Sequence, residues 1–226
     1  MMKQMKNPPI MTTIVKCYLT GTRFDEELTD EQCKEVFELA RKHDVVPLIG
    51  AVLETVGGTG REKYAPFFAE GKKALFRFVK QEHEQKRIYA QLEAAEIEYI
   101  PMKGSVLRAL YPEPWHRTSC DLDILVREAE LERAVSVLET ELHYEMMGKS
   151  EHDVSIRTPG GVHLELHYDV HEPHVSVEDL WNASEPVHPG EMQRRFSAEM
   201  FVLHHIAHMA KHFKYGGCGF RPFVDL

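Results

Sequence analysis

Cysteine is scarce in this 226-residue chain, and the four present, Cys17, Cys33, Cys120 and Cys218, stand far apart with no CxxC pair. That spacing excludes a disulfide framework or zinc knuckle and fits the reduced thiols of a cytoplasmic protein. No apolar run reaches the length of about 18 residues that a membrane span needs, so no membrane partner is expected. No signal peptide is expected either, because Pro8, Pro9 and Lys16 interrupt the region behind Lys3 and Lys6. Basic charge is in deficit: 27 Lys and Arg face 36 Asp and Glu, a formal net charge of -9. Gripping nucleic acid by charge needs the opposite balance, and no aromatic-plus-basic stripe offers a single strand a stacking platform. Long nucleic acid is therefore disfavoured, whereas an enzyme that brings a nucleotide in with a divalent cation is not. What is present is ample core material, 43% hydrophobic residues, enough for one embellished domain or two small ones.

The first hundred residues read as helical. Residues up to about Arg23 show no period and are expected to be a loose lead-in. Thr29 followed by Gln32 has capping-box spacing ahead of the stripe Val36, Phe37, Leu39 and Ala40, giving a helix that ends near His43. A short helix is expected from Pro47 to Thr55, stopped by Gly57-Gly58. A long one runs from Pro66 to Glu96, with Leu75, Phe78, Val79, Ile88, Leu92 and Ala95 as its buried face and Lys80 to Arg87 as solvated surface. From Ile97 the pattern changes to short strands (Ile97 to Met102, Ile124 to Val126, Val154 to Arg157, Val162 to Val170) alternating with helices (Val106 to Leu110, Glu128 to Glu141). Helix returns from Ser197 to Phe213. This order predicts an α+β fold, a small mixed sheet backed by helices. The expected division is a helical N-terminal region over 1–96, a sheet core over 97–171 and a helical C-terminal segment over 172–226. The final run Phe220-Arg221-Pro222-Phe223 reads as the entrance to a further helix, as in a truncated or naturally shortened chain.

Three short motifs carry chemistry. In Asp121-Leu122-Asp123-Ile124, strand alternation sends both aspartates one way and the leucine and isoleucine the other. Two adjacent carboxylates repel unless a cation lies between them, and magnesium takes one or two carboxylates while leaving positions for water and phosphate. A lone DxD is more often an exposed strand end. The run from Val162 to His171 also alternates, with His163, Glu165, His167, Asp169 and His171 on one face and Glu165 flanked by leucines. Lys103-Gly104-Ser105 sits where a strand hands over to a helix, where glycine permits close approach and helix N–H groups favour phosphate. Alone, such a turn is commonplace.

Taken in order, Gly104-Ser105, Asp121-Leu122-Asp123-Ile124 and Leu164-Glu165-Leu166 resemble the DNA polymerase β-like nucleotidyltransferase superfamily. The run of Ile100, Lys103-Gly104, Leu107, Tyr111, Arg117 and Asp121-Leu122-Asp123 is more specifically similar to a poorly characterised bacterial branch of it. The interval from Ser105 to Asp121 is longer than the superfamily's usual spacing. The resemblance implies a nucleotidyltransferase palm within the sheet core and magnesium, or manganese in its place, on Asp121, Asp123 and Glu165, with Glu165 either completing the second metal site or helping to deprotonate the acceptor hydroxyl. It also implies an NTP whose triphosphate meets Lys103, Gly104, Ser105 and Arg117, with Lys211 a weaker candidate. The reaction implied is transfer of a nucleoside monophosphate to a hydroxyl acceptor, on a small molecule, a protein or an RNA end. Two rivals stay open: a transition-metal-dependent hydrolase using the His-rich face, and a non-catalytic nucleotide-binding member of the fold. His204, His208 and His212 share one helical face. They read better as the lining of a polar cleft, on a helix packed across the sheet, than as a zinc site, because HExxH is absent.

Overall fold

The computed structural model describes residues 10–56 and 61–226. Helices α1 (Ile10–Thr20), α2 (Asp30–Lys42), α3 (Val46–Glu54) and α4 (Ala65–Ala94) come first. They are followed by β1 (Tyr99–Pro101), the short α5 (Lys103–Leu107), β2 (Asp121–Val126), α6 (Leu131–Leu142), β3 (Glu145–Lys149), β4 (Asp153–Arg157) and β5 (His163–His167). Then come α7 (Val177–Asn182), β6 (Ser184–Pro186), β7 (Arg194–Phe196), α8 (Ala198–Lys214) and α9 (Arg221–Val224). Two compact units result. One holds the described residues up to Arg77 with Tyr111–Thr118 and Gly219–Asp225; the other holds Phe78–Leu110, Ser119–Cys218 and Leu226. Among the described residues no helix is long and apolar enough to cross a membrane.

In the first unit, the lead-in is a helix where it is described. Met11, Ile14 and Val15 on α1 are buried in a core shared with Val36 and Ala40 of α2 and Leu48, Ile49 and Leu53 of α3. The β-branched run Thr12 to Val15 and the prolines before it hid the period, since both lower helix propensity and tertiary burial overrides it. The lead-in before Ile10 and the Gly57-Gly58 stop lie outside the described residues. At α2 the capping box forms as its spacing demands: Thr29 Oγ1 accepts from Gln32 N–H at 3.2 Å, and the Gln32 side chain accepts from Thr29 N–H at 2.8 Å. Thr29→Ala is expected to lower the unfolding free energy by about 1 kcal/mol, measured by denaturant unfolding, whereas Thr29→Ser should cost little.

Helix α4 corrects the expected buried face. Leu75 and Val79 are exposed, at 38% and 52%, while Ala74, Gln81, Glu84, Ile88 and Leu92 are buried. Hydrophobicity alone misplaces the stripe because its two polar members are satisfied. Gln81 donates to the Ser119 carbonyl at 3.2 Å and Glu84 accepts from the Tyr144 hydroxyl. The charged middle is therefore only partly a solvated surface.

The second unit is built on a five-stranded mixed sheet in the order β1-β2-β5-β4-β3, with β2 and β5 parallel and the other neighbours antiparallel. One face carries Leu122, Ile124, Val126, Leu164 and Leu166 into a core with Ile88 and Leu92 of α4 and Ala134 and Leu138 of α6. The other face buries Ile100 and Leu125 against Leu180 and Trp181 of α7, Phe196 of β7 and Ala207 of α8. Helix α8 thus packs on the face that carries Asp121 and Asp123. Four elements of this unit escaped the sequence pattern. All five residues of the edge strand β3 are exposed, so it shows no alternation, and α7 and the β6–β7 hairpin are too short for a period to emerge.

Candidate active site

The geometry begins with register. On parallel neighbours, Asp121 pairs with His163, Asp123 with Glu165 and Leu125 with His167. Residues opposite one another on adjacent strands lie roughly 5 Å apart and point the same way. One sheet face therefore carries two aspartates, a glutamate and two histidines, and only its Leu125 end is sealed by core. Strand β5 ends at His167, so Asp169 and His171 lie beyond the ladder they were expected to continue.

These side chains form two overlapping clusters, Asp121 with His163 and Glu165, and Asp123 with Glu165 and His167. Within each, one donor atom per residue lies within 4.8 Å of the others, and Glu165 belongs to both. His167 Nε2 is 3.2 Å from Asp123 Oδ1 and 3.5 Å from Glu165 Oε2. Ser155 on β4 holds His163 from the side, with its Oγ 2.6 Å from His163 Nε2.

The electrostatics show strain between like charges. Burial, and then the neighbouring charges of Asp123 and Glu165, push the Asp121 carboxyl above the usual range. Burial would raise Asp123 as well, but the hydrogen bond from His167 and the charge of Lys103 outweigh it and hold the group low. The His167 hydrogen bond also holds Glu165 down against burial and Asp123. Burial alone would keep His167 neutral; its bonds to Asp123 and Glu165 instead raise it to about 9. At neutral pH an imidazolium therefore bridges two carboxylates.

The turn after β1 supplies a second group of charges. Lys103 has a positive φ of 30°, unfavourable for a side-chain-bearing residue. Its Nζ lies 3.8 Å from Oε1 of Glu172, whose side chain is only 3% exposed. The same oxygen is 3.0 Å from His208 Nδ1 and 4.0 Å from both His204 Nε2 and Lys211 Nζ. Burial opposes the charge on Glu172, yet the hydrogen bond to His208 and the charges of Lys103 and Lys211 hold it ionised. Burial, reinforced by Lys103, lowers His204 to about 3, so it is neutral. Gly104 is buried, and the Ser105 hydroxyl donates to the Met102 carbonyl at 3.0 Å.

Of the residues singled out by sequence, Asp121, Asp123 and Glu165 converge, and Lys103 acts electrically on Asp123. Arg117 is engaged with Asp225 in the first unit: Nε and Nη2 donate to Asp225 Oδ1 and Oδ2 at 2.9 and 3.0 Å, and the Tyr111 hydroxyl donates to Oδ1 at 2.7 Å. That pairing lends no support to Arg117 as a triphosphate contact. Sequence reasoning missed Glu172, which falls past the end of β5 and has no periodic partner. His163 and His167 join the carboxylates, not the α8 histidines.

A sequence model of the family described as "Uncharacterised nucleotidyltransferase" matches residues 29–226. No curated protein matches the chain. Among solved structures, the fold is similar to the solution structure of the antibiotic-resistance factor ANT(2'')-Ia, with TM-score 0.49, 12% identity, and 65% of this chain and 81% of that chain covered. The crystal structure of ANT(2'')-Ia in complex with adenylyl-2''-tobramycin gives the same score and identity, over 65% of this chain and 86% of that one. An antigenic nucleotidyltransferase-like protein from Paracoccidioides brasiliensis aligns with TM-score 0.38 and 18% identity, over 61% of this chain and 70% of that one.

Proposed function

The chain belongs to this uncharacterised nucleotidyltransferase family, and we propose that it transfers a nucleoside monophosphate from a magnesium-bound NTP to a hydroxyl acceptor, with Asp121, Asp123 and Glu165 as the magnesium ligands. The observation that carries this reading is the pair of clusters sharing Glu165. A donor set rich in carboxylate oxygen suits a hard dication; burial and then the charges of Asp123 and Glu165 raise the Asp121 carboxyl, and a dication would offset that repulsion. Bound there, magnesium supplies charge neutralisation for the triphosphate and for the attacking oxygen.

The chain's own residues do the rest. Asp121 and Asp123 stay in line because the parallel ladder with β5 spans both and the Asp123 carbonyl also accepts from Met102 N–H at 3.0 Å, so the carboxylates are preorganised. Glu165, the member of both clusters, takes the position common to them. Lys103 supports the leaving pyrophosphate as a cation beside Asp123. The acceptor hydroxyl attacks the α-phosphorus in line, its bond to oxygen forms as the bond to the pyrophosphate oxygen breaks, and the hydroxyl proton departs to solvent. Incubating the purified chain with magnesium, each labelled NTP and fractionated extract tests this. Label should appear on a hydroxyl-bearing component with release of one pyrophosphate per transfer; pyrophosphate release without labelled product would point to hydrolysis.

A pH prediction follows from His167. Its pKa is raised to about 9, so it is protonated at neutral pH, and a dication at Asp123 and Glu165 must displace that proton. Magnesium affinity should rise as pH increases from 7 towards 9 and level off above. Calorimetry at pH 7.5 in buffers of different ionisation enthalpy should detect close to one proton released per site, and none in His167→Gln.

A further inference from the structure

Outside the carboxylate centre, α8 carries a pair of nitrogen donors whose geometry has no part in the proposed transfer. His208 Nε2 and His212 Nε2 face each other at 2.9 Å, with their rings nearly perpendicular and 4.5 Å between centroids. They are one helical turn apart, so the backbone of a 17-residue helix fixes their separation. His208 Nδ1 lies 3.0 Å from Oε1 of the buried Glu172. A carboxylate in that place accepts from Nδ1–H, which leaves the lone pair on Nε2, pointing at His212. This is the outer-sphere arrangement that orients metal-bound histidines.

We infer that His208 and His212 form a second metal site, for a borderline transition ion such as Zn²⁺, Ni²⁺ or Cu²⁺, with Glu172 as the outer carboxylate and water completing the coordination. Zinc bonds nitrogen at about 2.0–2.1 Å, which puts two nitrogens roughly 3.4 Å apart at a tetrahedral ion. The side chains therefore need to open by only about half an ångström. His212 is exposed and His208 partly so, which gives the ion a way in and room for water. The neutral nitrogen donors select the metal class. Lys103 and Lys211 stand 3.8 and 4.0 Å from Glu172, so an ion held by charge alone, such as magnesium, gains nothing there, whereas a transition ion gains through its bonds to imidazole. The chain would then hold a hard, oxygen-rich centre on the sheet and a softer, nitrogen-based one on α8.

Zinc chloride and cobalt chloride titrations test the site in the full chain. The Asp121→Asn/Asp123→Asn background weakens the carboxylate centre as a competing zinc site. One equivalent of zinc should bind in that background, and cobalt should give the visible absorption of a nitrogen-ligated site. Adding His212→Ala, at an exposed position, should abolish both signals. Glu172→Gln should weaken zinc binding about 10–100-fold. Stoichiometric zinc that survives His212→Ala, or no zinc binding in the Asp121→Asn/Asp123→Asn chain, would overturn the assignment. Neither outcome touches nucleotidyl transfer, which is read separately by labelled NTP.

Discussion

Asp123→Asn is expected to lower nucleotidyl transfer by about 10³-fold or more, equivalent to roughly 4 kcal/mol of transition-state stabilisation. The substitution keeps the size of the side chain and its place on β2 but removes the charge that a dication needs. Asp123 is also held firmly ionised, through His167 and Lys103, so its loss leaves two positive groups facing a centre that must also hold metal. Asp121→Asn should impair transfer comparably with the opposite effect on stability. Burial and the charges of Asp123 and Glu165 raise the Asp121 carboxyl, so its ionised form destabilises the metal-free fold at neutral pH. Removing that charge should raise the melting temperature in EDTA while activity disappears. A steady-state rate and a thermal melt on the same two variants check both parts. Loss of activity explained by unfolding would appear as a lower melting temperature, which is not expected for Asp121→Asn.

Asp225→Ala should destabilise the first unit by about 3–5 kcal/mol, because it strands a buried guanidinium. The Asp225 side chain is 0% exposed and that of Arg117 only 6%. Their bidentate bond is reinforced by the Tyr111 hydroxyl, which burial and then the same carboxylate hold well above its usual pKa. In a chain of this size the loss corresponds to a fall of about 10 °C in melting temperature. Replacing both partners with apolar residues, Arg117→Met with Asp225→Leu, should restore much of it, since the pair's desolvation cost disappears along with its attraction. If Arg117 served instead as a triphosphate contact, Asp225→Ala would leave the melt unchanged and Arg117→Ala would weaken only nucleotide binding.

The sequence was most legible where one local rule acts alone. The Thr29–Gln32 capping box, the β2 alternation and the Leu-Glu-Leu of β5 each fix a side chain's direction without distant help, and the structure brings Asp121, Asp123 and Glu165 together accordingly. It was least legible where burial depends on a hydrogen bond from afar. Gln81 and Glu84 look like surface residues until Ser119 and Tyr144 reach them. Glu172 follows the end of β5 and acquires meaning only when Lys103 and α8 close around it. Arg117 shows the reverse: proximity to a motif in sequence suggested phosphate, and a residue more than a hundred positions away in the chain took its guanidinium. The edge strand β3, exposed throughout, offered no burial pattern to read.

The most direct measurement is NTP binding by equilibrium dialysis, with magnesium or with EDTA, for the wild-type chain and for Asp121→Ala/Asp123→Ala. The account predicts saturable binding only with magnesium, and only in the wild type. Equal binding in EDTA, or in the double variant with magnesium, would contradict it.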